Sequence, residues 1–266
     1  MAFRKYLVTA AFLFVCVFIS IPDIAFAHRP LTTQYANPES VHKIKLESGI
    51  KYTNFPHGDE AYNLDIEVNY GVINNLDVGV DVPYVFWRPD EVGDTDTVGD
   101  MILKSRLLFL KGREGNPLSL TIQPFFKIPT AESNREILQS GPGLSTGETD
   151  FGFVFIATRE MSPLLIAHMN LGYVFINRPS FLPGKDYENV FSFKIAVEYV
   201  TDKDIELVGE LSGETNKNPA EDDPFSMLLG ARYKMKDGVL LDAGFSAGLS
   251  DSSPDSTATL GLTLAF

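Results

Sequence analysis

Charged side chains spaced two apart are the part of this sequence best suited to chemistry. Acidic residues repeat in this way between positions 65 and 81, and basic residues do so between positions 104 and 127. Because side chains two apart lie on one face of an extended strand, we expect an acidic surface to oppose a basic one. We call the residues on this polar face of the strands the polar phase, and the residues on the other face the apolar phase. The residues of the polar phase that we expect to line an interior are Asp65, Glu67, Asp77, Asp81, Lys104, Arg106, Phe125, Lys127, His168, Lys194, Glu198 and Arg232.

Two interpretations of these charges are open. They could neutralise one another across neighbouring strands and satisfy a wet interior. They could instead produce a transverse field that orients a polar or amphiphilic solute in a narrow pore. Two aromatic residues of the same phase, Trp87 and Phe125, could add a stacking contact or could simply fill space.

The histidines give little support for an enzyme. A catalytic nucleophile or general base usually needs a histidine within hydrogen-bonding reach of a hydroxyl or carboxylate group. His168 falls in the polar phase beside Asn170, and His57, close to acidic residues, would make at best a weak metal or acid–base site. Neither a phosphate-binding glycine loop nor a spaced set of metal ligands is recognisable. We therefore predict no catalytic residue, no metal site and no cofactor.

The elements that position these residues are strands with a period of two. Apolar and polar residues alternate without error over positions 62–72, and the alternation resumes over 76–86 with Val85 as an exception. The turn between them contains Asn74-Asn75, and asparagine tolerates the positive φ of a tight turn. The two runs therefore predict a β-hairpin. The same pattern, less regular in places, continues to the C-terminus and predicts about twelve strands.

The connections between these strands alternate in length. The short ones lie at 73–75, 112–116, 160–163, 201–203 and 236–238, and the mostly longer ones lie at 53–59, 88–98, 130–149, 177–186, 213–223 and 250–254. Short turns on one rim and long loops on the other are typical of outer-membrane barrels with both termini in the periplasm.

Alternation alone does not decide which face of the sheet meets water. A soluble barrel or a sandwich also alternates, with its apolar side chains inside. Three features favour apolar residues outside: the number of strands, the asymmetry of the connections, and aromatic residues of the apolar phase near strand ends. We therefore predict an all-β fold, a transmembrane antiparallel up-and-down β-barrel of about twelve strands in contact with outer-membrane lipid.

The N-terminus has the features of a cleavable signal peptide. Arg4 and Lys5 precede an apolar run, and Ala25-Phe26-Ala27 places small residues directly before a predicted cleavage site. A retained membrane helix is the alternative, but the apolar run is short for one. The predicted organisation is a signal peptide at 1–27, an irregular periplasmic or lumenal leader at 28–40, and an outer-membrane β-barrel at 41–266.

Composition excludes several classes of protein. Cys16, in the signal segment, is the only cysteine, so the mature chain can form neither disulfides nor a thiolate metal site. Loss of Arg4, Lys5 and Asp23 with the signal peptide changes the formal charge from −13 to −14, which argues against a nucleic-acid partner. No later segment approaches about 18 consecutive apolar residues, so a helical membrane protein is excluded too.

The last ten residues, 257–266, alternate and end on an aromatic residue, Phe266. Such an end resembles the signal by which the barrel assembly machinery recognises outer-membrane barrels. We predict that this strand is the contact with that machinery. We also predict that it pairs with the first strand, near 44–52, because an open sheet edge would be left unsatisfied in lipid.

Several short motifs resemble one bacterial family. They are Tyr70–Tyr84, Val98-Gly99-Asp100, 126–130 and Asn170–Tyr173. Together they resemble the family named for a meta-pathway of phenol degradation, although Ala131 stands where the family pattern has glycine. The resemblance implies a transporter-like outer-membrane barrel linked to the uptake of aromatic compounds, and it implies no particular binding residue.

The expected function is a narrow outer-membrane channel or transporter for small solutes, aromatic or amphiphilic molecules among them. The alternative is a structural or surface-interaction barrel without transport. Its acidic loops, at 90–100 and 221–223, would bind cations, lipopolysaccharide through bridging cations, or a partner. The sequence leaves open whether the leader enters the barrel.

Overall fold

One antiparallel sheet accounts for nearly all of the regular structure. The computed structural model describes residues 28–88, 95–113, 115–131, 147–177, 187–201 and 204–266. Its strands are β1 (Ile44–Asn54), β2 (Glu60–Ile73), β3 (Leu76–Arg88), β4 (Thr95–Val98), β5 (Met101–Leu110), β6 (Leu118–Ile128), β7 (Asp150–Ser162), β8 (Leu165–Phe175), β9 (Val190–Val200), β10 (Ile205–Glu214), β11 (Phe225–Lys236), β12 (Val239–Gly248) and β13 (Ser256–Ala265). A short 3-10 helix, Pro56–Gly58, follows β1.

The sheet closes on itself as a barrel. β1 pairs with β2 on one side and with β13 on the other, from Lys45 opposite Ala265 to Asn54 opposite Ser256. The remaining strands pair with their neighbours in chain order, and every pairing is antiparallel. This confirms the predicted antiparallel up-and-down barrel, closed by its first and last strands.

The long connection predicted after β3 is wrong in its second half, where the structure has β4. Val98 of β4 lies opposite Tyr84, whereas Ile102 of β5 lies opposite Asp81, so the two registers differ by one residue. The shift places a bulge at Gly99–Asp100. The threonines and valine of β4 suit a strand, but four residues are too few for their alternation to stand out. β4 and β5 together form one interrupted strand, and the barrel therefore has the predicted twelve strands.

The apolar phase of each strand faces outward. Ile50, Leu229 and Leu260 expose 60%, 61% and 67% of their surfaces. The polar phase faces the lumen, where Lys45 and Thr263 are fully buried. Apolar side chains outside and charges inside are what a bilayer requires of a barrel. Within the described residues no helix has the length and apolarity to cross a membrane.

Aromatic pairs form a band on the outer face near the rim with the longer connections. Tyr52 and Tyr62 have ring centroids 5.0 Å apart, and the rings of Phe151 and Phe175 stack at 4.5 Å. Rings of this kind sit well at the interface between hydrocarbon and head groups. The band therefore suits one edge of a membrane-embedded surface.

Candidate functional site

The leader, residues 28–40, runs around the inside of the barrel without forming a helix or strand. A twelve-stranded barrel is wider than its own side chains can fill, and the leader occupies the space. It contacts an inward-facing residue in each of the twelve strands. These residues include Glu47, Glu67, Thr259, Asp242, Arg232, Glu210, Lys194, Asn170, Thr158, Thr121, Arg106 and Asp77.

His28 lies between two carboxylates of the barrel wall. Its Nδ1 is 2.8 Å from Glu47 Oε2, and its Nε2 is 3.6 Å from Glu67 Oε2. Its backbone nitrogen donates to Glu47 Oε1 at 3.1 Å. Both nitrogens of the ring and the backbone nitrogen therefore face negative charge.

Arg232 of β11, three strands away from β1 around the barrel, holds the same part of the leader. Its guanidinium donates to the carbonyl oxygens of His28 and Arg29 at 3.0 and 2.5 Å. It also pairs with Glu198 at 2.7 Å and with Glu206 at 2.9 Å. A buried guanidinium is stable when carboxylates and carbonyl groups satisfy its donors in this way.

Pro30 and Leu31 fit two hollows in the wall. Pro30 packs where β11 and β12 carry Gly230 and Gly244, and a methyl group added at Gly244 would lie 2.8 Å from Pro30 Cβ. Leu31 is 3% exposed and packs in an apolar seat. The residues of this seat are Ala196, Val208 and Leu228.

Glu210 binds the next two residues of the leader. Its carboxylate accepts from the backbone N–H and the hydroxyl group of both Thr32 and Thr33, at 2.6 to 2.9 Å. Hydrogen bonds to a charged acceptor are the stronger kind, and these four converge on one side chain.

Tyr35 projects across the lumen into a cluster of charges. Its hydroxyl group accepts from Lys45 Nζ at 2.6 Å and donates to Glu39 Oε1 at 3.1 Å. Arg106 Cζ lies 5.1 Å from the centre of its ring. Burial, with the negative charge of Glu39, raises the pKa of Tyr35 well above its usual value, so the hydroxyl group keeps its proton.

Ala36 fills a second apolar seat, next to Leu108 and Ile156. Its N–H donates to Thr158 Oγ1 at 2.9 Å, and its carbonyl oxygen accepts from Thr121 Oγ1 at 2.5 Å. These contacts fix the leader against β6 and β7.

The leader returns to the wall where β2 ends. The N–H of Glu39 donates to Asp77 Oδ2 at 2.8 Å. A methyl group added at Gly71 would lie 1.9 Å from the carbonyl oxygen of Ser40, so the close approach needs glycine. The leader therefore leaves the lumen directly before β1.

The predicted acidic and basic residues of β2, β3 and β5 meet one another. Lys104 Nζ lies 2.9 Å from Glu67 Oε1 and 2.8 Å from Asp81 Oδ1. Arg106 forms an ion pair with Asp77 through two of its nitrogens. The opposed charges therefore neutralise one another across neighbouring strands, and several of them also hold the leader.

Two further groups of predicted residues lie elsewhere on the inner face. Lys127 pairs with Asp150 at 2.5 Å and with Asp100 at 3.3 Å. His168 Nε2 lies 3.3 Å from Glu198 Oε1. The Nδ1 of His168 lies 2.9 Å from the hydroxyl oxygen of Thr158, which also accepts from the N–H of Ala36 in the leader.

The remaining predicted residues have looser contacts. Asp65 is 4.0 Å from Lys51 Nζ, and Lys194 donates to the carbonyl oxygen of Thr32 at 3.3 Å. Phe125 is half-buried on the inner face. Trp87 is buried and packs edge-on against Phe55. Whether any of these residues touches a solute stays a prediction.

The apolar seats of the leader were missed by sequence reasoning. Val208, Leu228 and Ile156 fall in the inward phase, although a lumen filled with water would not stabilise apolar side chains there. Apolar residues in the polar phase were the signal that another segment packs there. Their partner could not be found in the same way, because the leader has no period.

A cavity of about 690 Å³ lies between the leader and the rim with the longer connections. Residues 28–32 and Gln34 form its floor. Its walls combine carboxylates, such as Asp65 and Asp81, with apolar side chains such as Ile102 and Leu228. The cavity can therefore offer a solute both polar and apolar contacts.

One group of described residues has the composition of a metal site, which the sequence did not predict. A nitrogen of His28 and carboxylate oxygens of Glu47 and Glu67 lie within 4.8 Å of one another. However, Lys45 Nζ lies 3.0 Å from Glu47, and Lys104 Nζ lies 2.9 Å from Glu67. Since an ammonium group already lies against each of these carboxylates, the geometry is better described as part of an ion-pair network.

The acidic loop at 221–223 is exposed and bonds mainly within itself. Asn218 Nδ2 donates to Glu221 Oε1 at 2.6 Å, and the N–H of Asn216 donates to Asp223 Oδ1 at 2.8 Å. Much of the other predicted acidic loop, 90–100, lies outside the described residues.

Solved structures with the same fold are outer-membrane channels and porins. The COG4313 outer membrane channel from Pseudomonas putida F1 matches with a TM-score of 0.71 and 13% identity, over 87% of this chain and 98% of that one. The NanC porin matches with a TM-score of 0.57 and 11% identity, over 83% and 98% of the two chains. The KdgM porin matches with a TM-score of 0.53 and 10% identity, over 84% and 99%.

No curated protein matches the sequence. Residues 38–266 match the family described as "Putative MetA-pathway of phenol degradation". The match starts just before β1 and includes every strand of the barrel. It confirms the resemblance seen in the sequence motifs, and the chain belongs to this family.

Proposed function

We propose that the protein is an outer-membrane channel for small solutes and that the leader is its gate. The observation that carries the proposal is the circuit of contacts between the leader and all twelve strands. A segment that contacts every strand closes the passage, and its removal would open the passage along most of its circumference.

The kind of contact supports a gate that can be displaced. Apart from the packing of Pro30, Leu31, Tyr35 and Ala36, the leader is held by hydrogen bonds and ion pairs. Water can replace such contacts at a modest net cost, whereas exposing a large apolar core would cost much more. The wall is a continuous hydrogen-bonded sheet and would stay intact when the leader leaves.

The cavity above the leader supports small aromatic or amphiphilic molecules as the solutes. Its volume is within the range of small-molecule pockets, roughly 300–1,000 Å³. Asp81 and Lys51 offer charges in the same space as Ile102 and Leu228. The description of the family, which names phenol degradation, is consistent with this solute class.

Planar bilayers and liposome swelling test the proposal directly. We expect low conductance for the full chain and sustained conductance for a variant that lacks residues 29–39. Leu31→Asp tests the same gate without a deletion, because it places a carboxylate in an apolar seat. Leu260→Ala, on the outer face, is the control and should stay closed.

Folded barrels that remain impermeable after both changes would refute the channel. They would favour the alternative of a barrel without transport. Deletion of residues 221–223 would then test surface binding, since that deletion should leave solute flux unchanged in a channel.

A further inference from the structure

The environment of His28 gives the leader a specific anchor. We propose that Glu47 and Glu67 form a binding site for a protonated primary amine. The ligand of this site is the α-ammonium group that cleavage after Ala27 creates on His28. This inference deepens the proposed gate and rests on it and on the predicted cleavage site. It assigns the closing of the channel to the mature chain alone.

The backbone nitrogen of His28 is already placed as an ammonium group would be. It donates to Glu47 Oε1 at 3.1 Å, and the ring of the same residue meets Glu47 Oε2 at 2.8 Å. His28 is 8% exposed and Glu47 is 1% exposed, so water cannot substitute freely for these contacts. A peptide N–H in this position would supply one donor and no charge, whereas an ammonium group supplies three donors and a positive charge.

The balance of charge around the site points to a missing cation. Ion pairs join His28 through Glu47 and Glu67 to a cluster of side chains with more acids than bases. Its carboxylates are Glu39, Glu47, Glu67, Asp77 and Asp81, and its cations are Lys45, Lys104 and Arg106. Because buried charge is costly unless paired, the two surplus carboxylates need further positive charge. An α-ammonium group on His28 adds one such charge.

Cleavage makes the ligand by a simple hydrolysis. The bond between the Ala27 carbonyl carbon and the His28 nitrogen breaks, water adds its hydroxyl group to the carbon, and the nitrogen gains a proton. The amine then takes up a second proton, since α-amino groups are largely protonated at neutral pH. In the uncleaved precursor the same nitrogen remains a neutral amide, and the site lacks its ligand.

Labelling of the α-amine tests the site in the full barrel. The probe is an aldehyde reagent selective for N-terminal α-amines, applied to purified protein in detergent, with mass spectrometry to locate the label. We expect the mature chain to begin at His28. Its α-amine should react at least about tenfold more slowly than the α-amine of Glu47→Gln, because that variant replaces the charged acceptor of the hydrogen bond by a neutral one. Asp65→Asn, an inward carboxylate that pairs with Lys51 and not with His28, should keep the protection.

A second variant moves the amine without changing any wall residue. Two alanines inserted between Ala27 and His28 shift the α-ammonium group away from Glu47 while they keep the imidazole ring. We expect fast labelling and a raised open probability in planar bilayers.

Three results would overturn the proposal: a mature N-terminus other than His28, equal labelling of the wild type and Glu47→Gln, or full protection after the insertion. Protection that appears only with added Zn²⁺ or Cu²⁺ and disappears with EDTA would assign the three side chains to a metal ion instead. Labelling does not depend on conductance. A protected amine in a barrel that never conducts would therefore refute the channel and keep the amine site.

Discussion

Gly244 shows how a missing side chain makes room for the leader. It faces the lumen on β12, where the ring of Pro30 occupies the position that a side chain would take. Gly209, on β10, faces outward, and a methyl group added there would make an ordinary contact of 3.5 Å with Leu229. The two glycines form a matched pair, because only one of them faces the leader.

We predict that Gly244→Leu opens the channel. The new side chain must displace Pro30, and overpacking of this kind costs about 1–3 kcal/mol. The open probability in planar bilayers should therefore rise at least about fivefold. Gly209→Leu adds the same side chain toward lipid and should leave the open probability unchanged. Equal behaviour of the two variants would contradict the role of Pro30.

Glu210 gives a second prediction for a single residue. Glu210→Ala removes the acceptor of four hydrogen bonds from Thr32 and Thr33, and the two donors of Thr33 that are left behind are buried. We expect docking of the leader to lose about 2 kcal/mol, or roughly a 30-fold change in its opening equilibrium. Hydrogen exchange at the amides of these two threonines should accelerate accordingly. Glu214→Gln, an exposed position on the same strand, is the control and should show no acceleration.

The positions of these side chains were only partly predictable from the sequence. The period of two places Glu67 and Lys104 on the inner face, because a strand has no other way to arrange alternating residues. The partners of Glu210 were not predictable, since Thr32 and Thr33 belong to a segment without a period. Their conformation is set by the wall around them and not by local preference.

At the scale of elements, the prediction succeeded where alternation was long and failed where it was short. β2 and β3 are predicted because many residues alternate on either side of an Asn-Asn turn. β4 was missed because its four residues extend the pairing of β5 only across a bulge at Gly99–Asp100. A bulge changes the phase by one residue, which makes the two halves of one strand look unrelated in sequence.

The terminal strand gives a prediction at this scale. The N–H of Phe266 donates to the carbonyl oxygen of Ile44 at 3.0 Å, and the N–H of Ile44 donates to the carbonyl oxygen of Phe266 at 2.9 Å. Deletion of Phe266 removes this last pair of the barrel closure together with the aromatic end. We expect less folded barrel in the outer membrane, measured as the heat-modifiable band in gel electrophoresis. Phe266→Tyr keeps both features and should assemble normally, whereas normal assembly of the deletion would contradict the prediction.

At the scale of the whole molecule, closing twelve strands into a barrel leaves unfilled space and buried charges in the lumen, and the leader fills the space and pairs the charges. The wall satisfies its own backbone by pairing β1 with β13, but the enclosed space is too wide for the inward side chains to fill. Buried charges on those side chains need partners, and the leader supplies Arg29, Glu39 and a set of backbone donors. One short segment therefore fills the lumen and completes its ion pairs. The same segment is the part of the fold that can leave without breaking the sheet.

Removal of the leader should make the barrel selective for cations. Inward carboxylates outnumber inward cations on the described strands. Residues 29–39 carry one charge of each sign, Arg29 and Glu39, so their loss leaves the difference unchanged. The carboxylates are Glu47, Asp65, Glu67, Asp77, Asp81, Asp150, Glu198, Glu206, Glu210 and Asp242, and the cations are Lys45, Lys51, Lys104, Arg106, Lys127, Lys194, Arg232 and Lys234.

A charged narrow pore favours ions of the opposite sign, so the variant lacking residues 29–39 should show a cation-selective reversal potential in a KCl gradient. Asp65→Asn with Asp81→Asn in the same background should reduce that potential, because both carboxylates line the cavity above the leader. A variant that prefers chloride would show that the lumenal ion pairs rearrange when the leader leaves, and that the closed wall does not describe the open one.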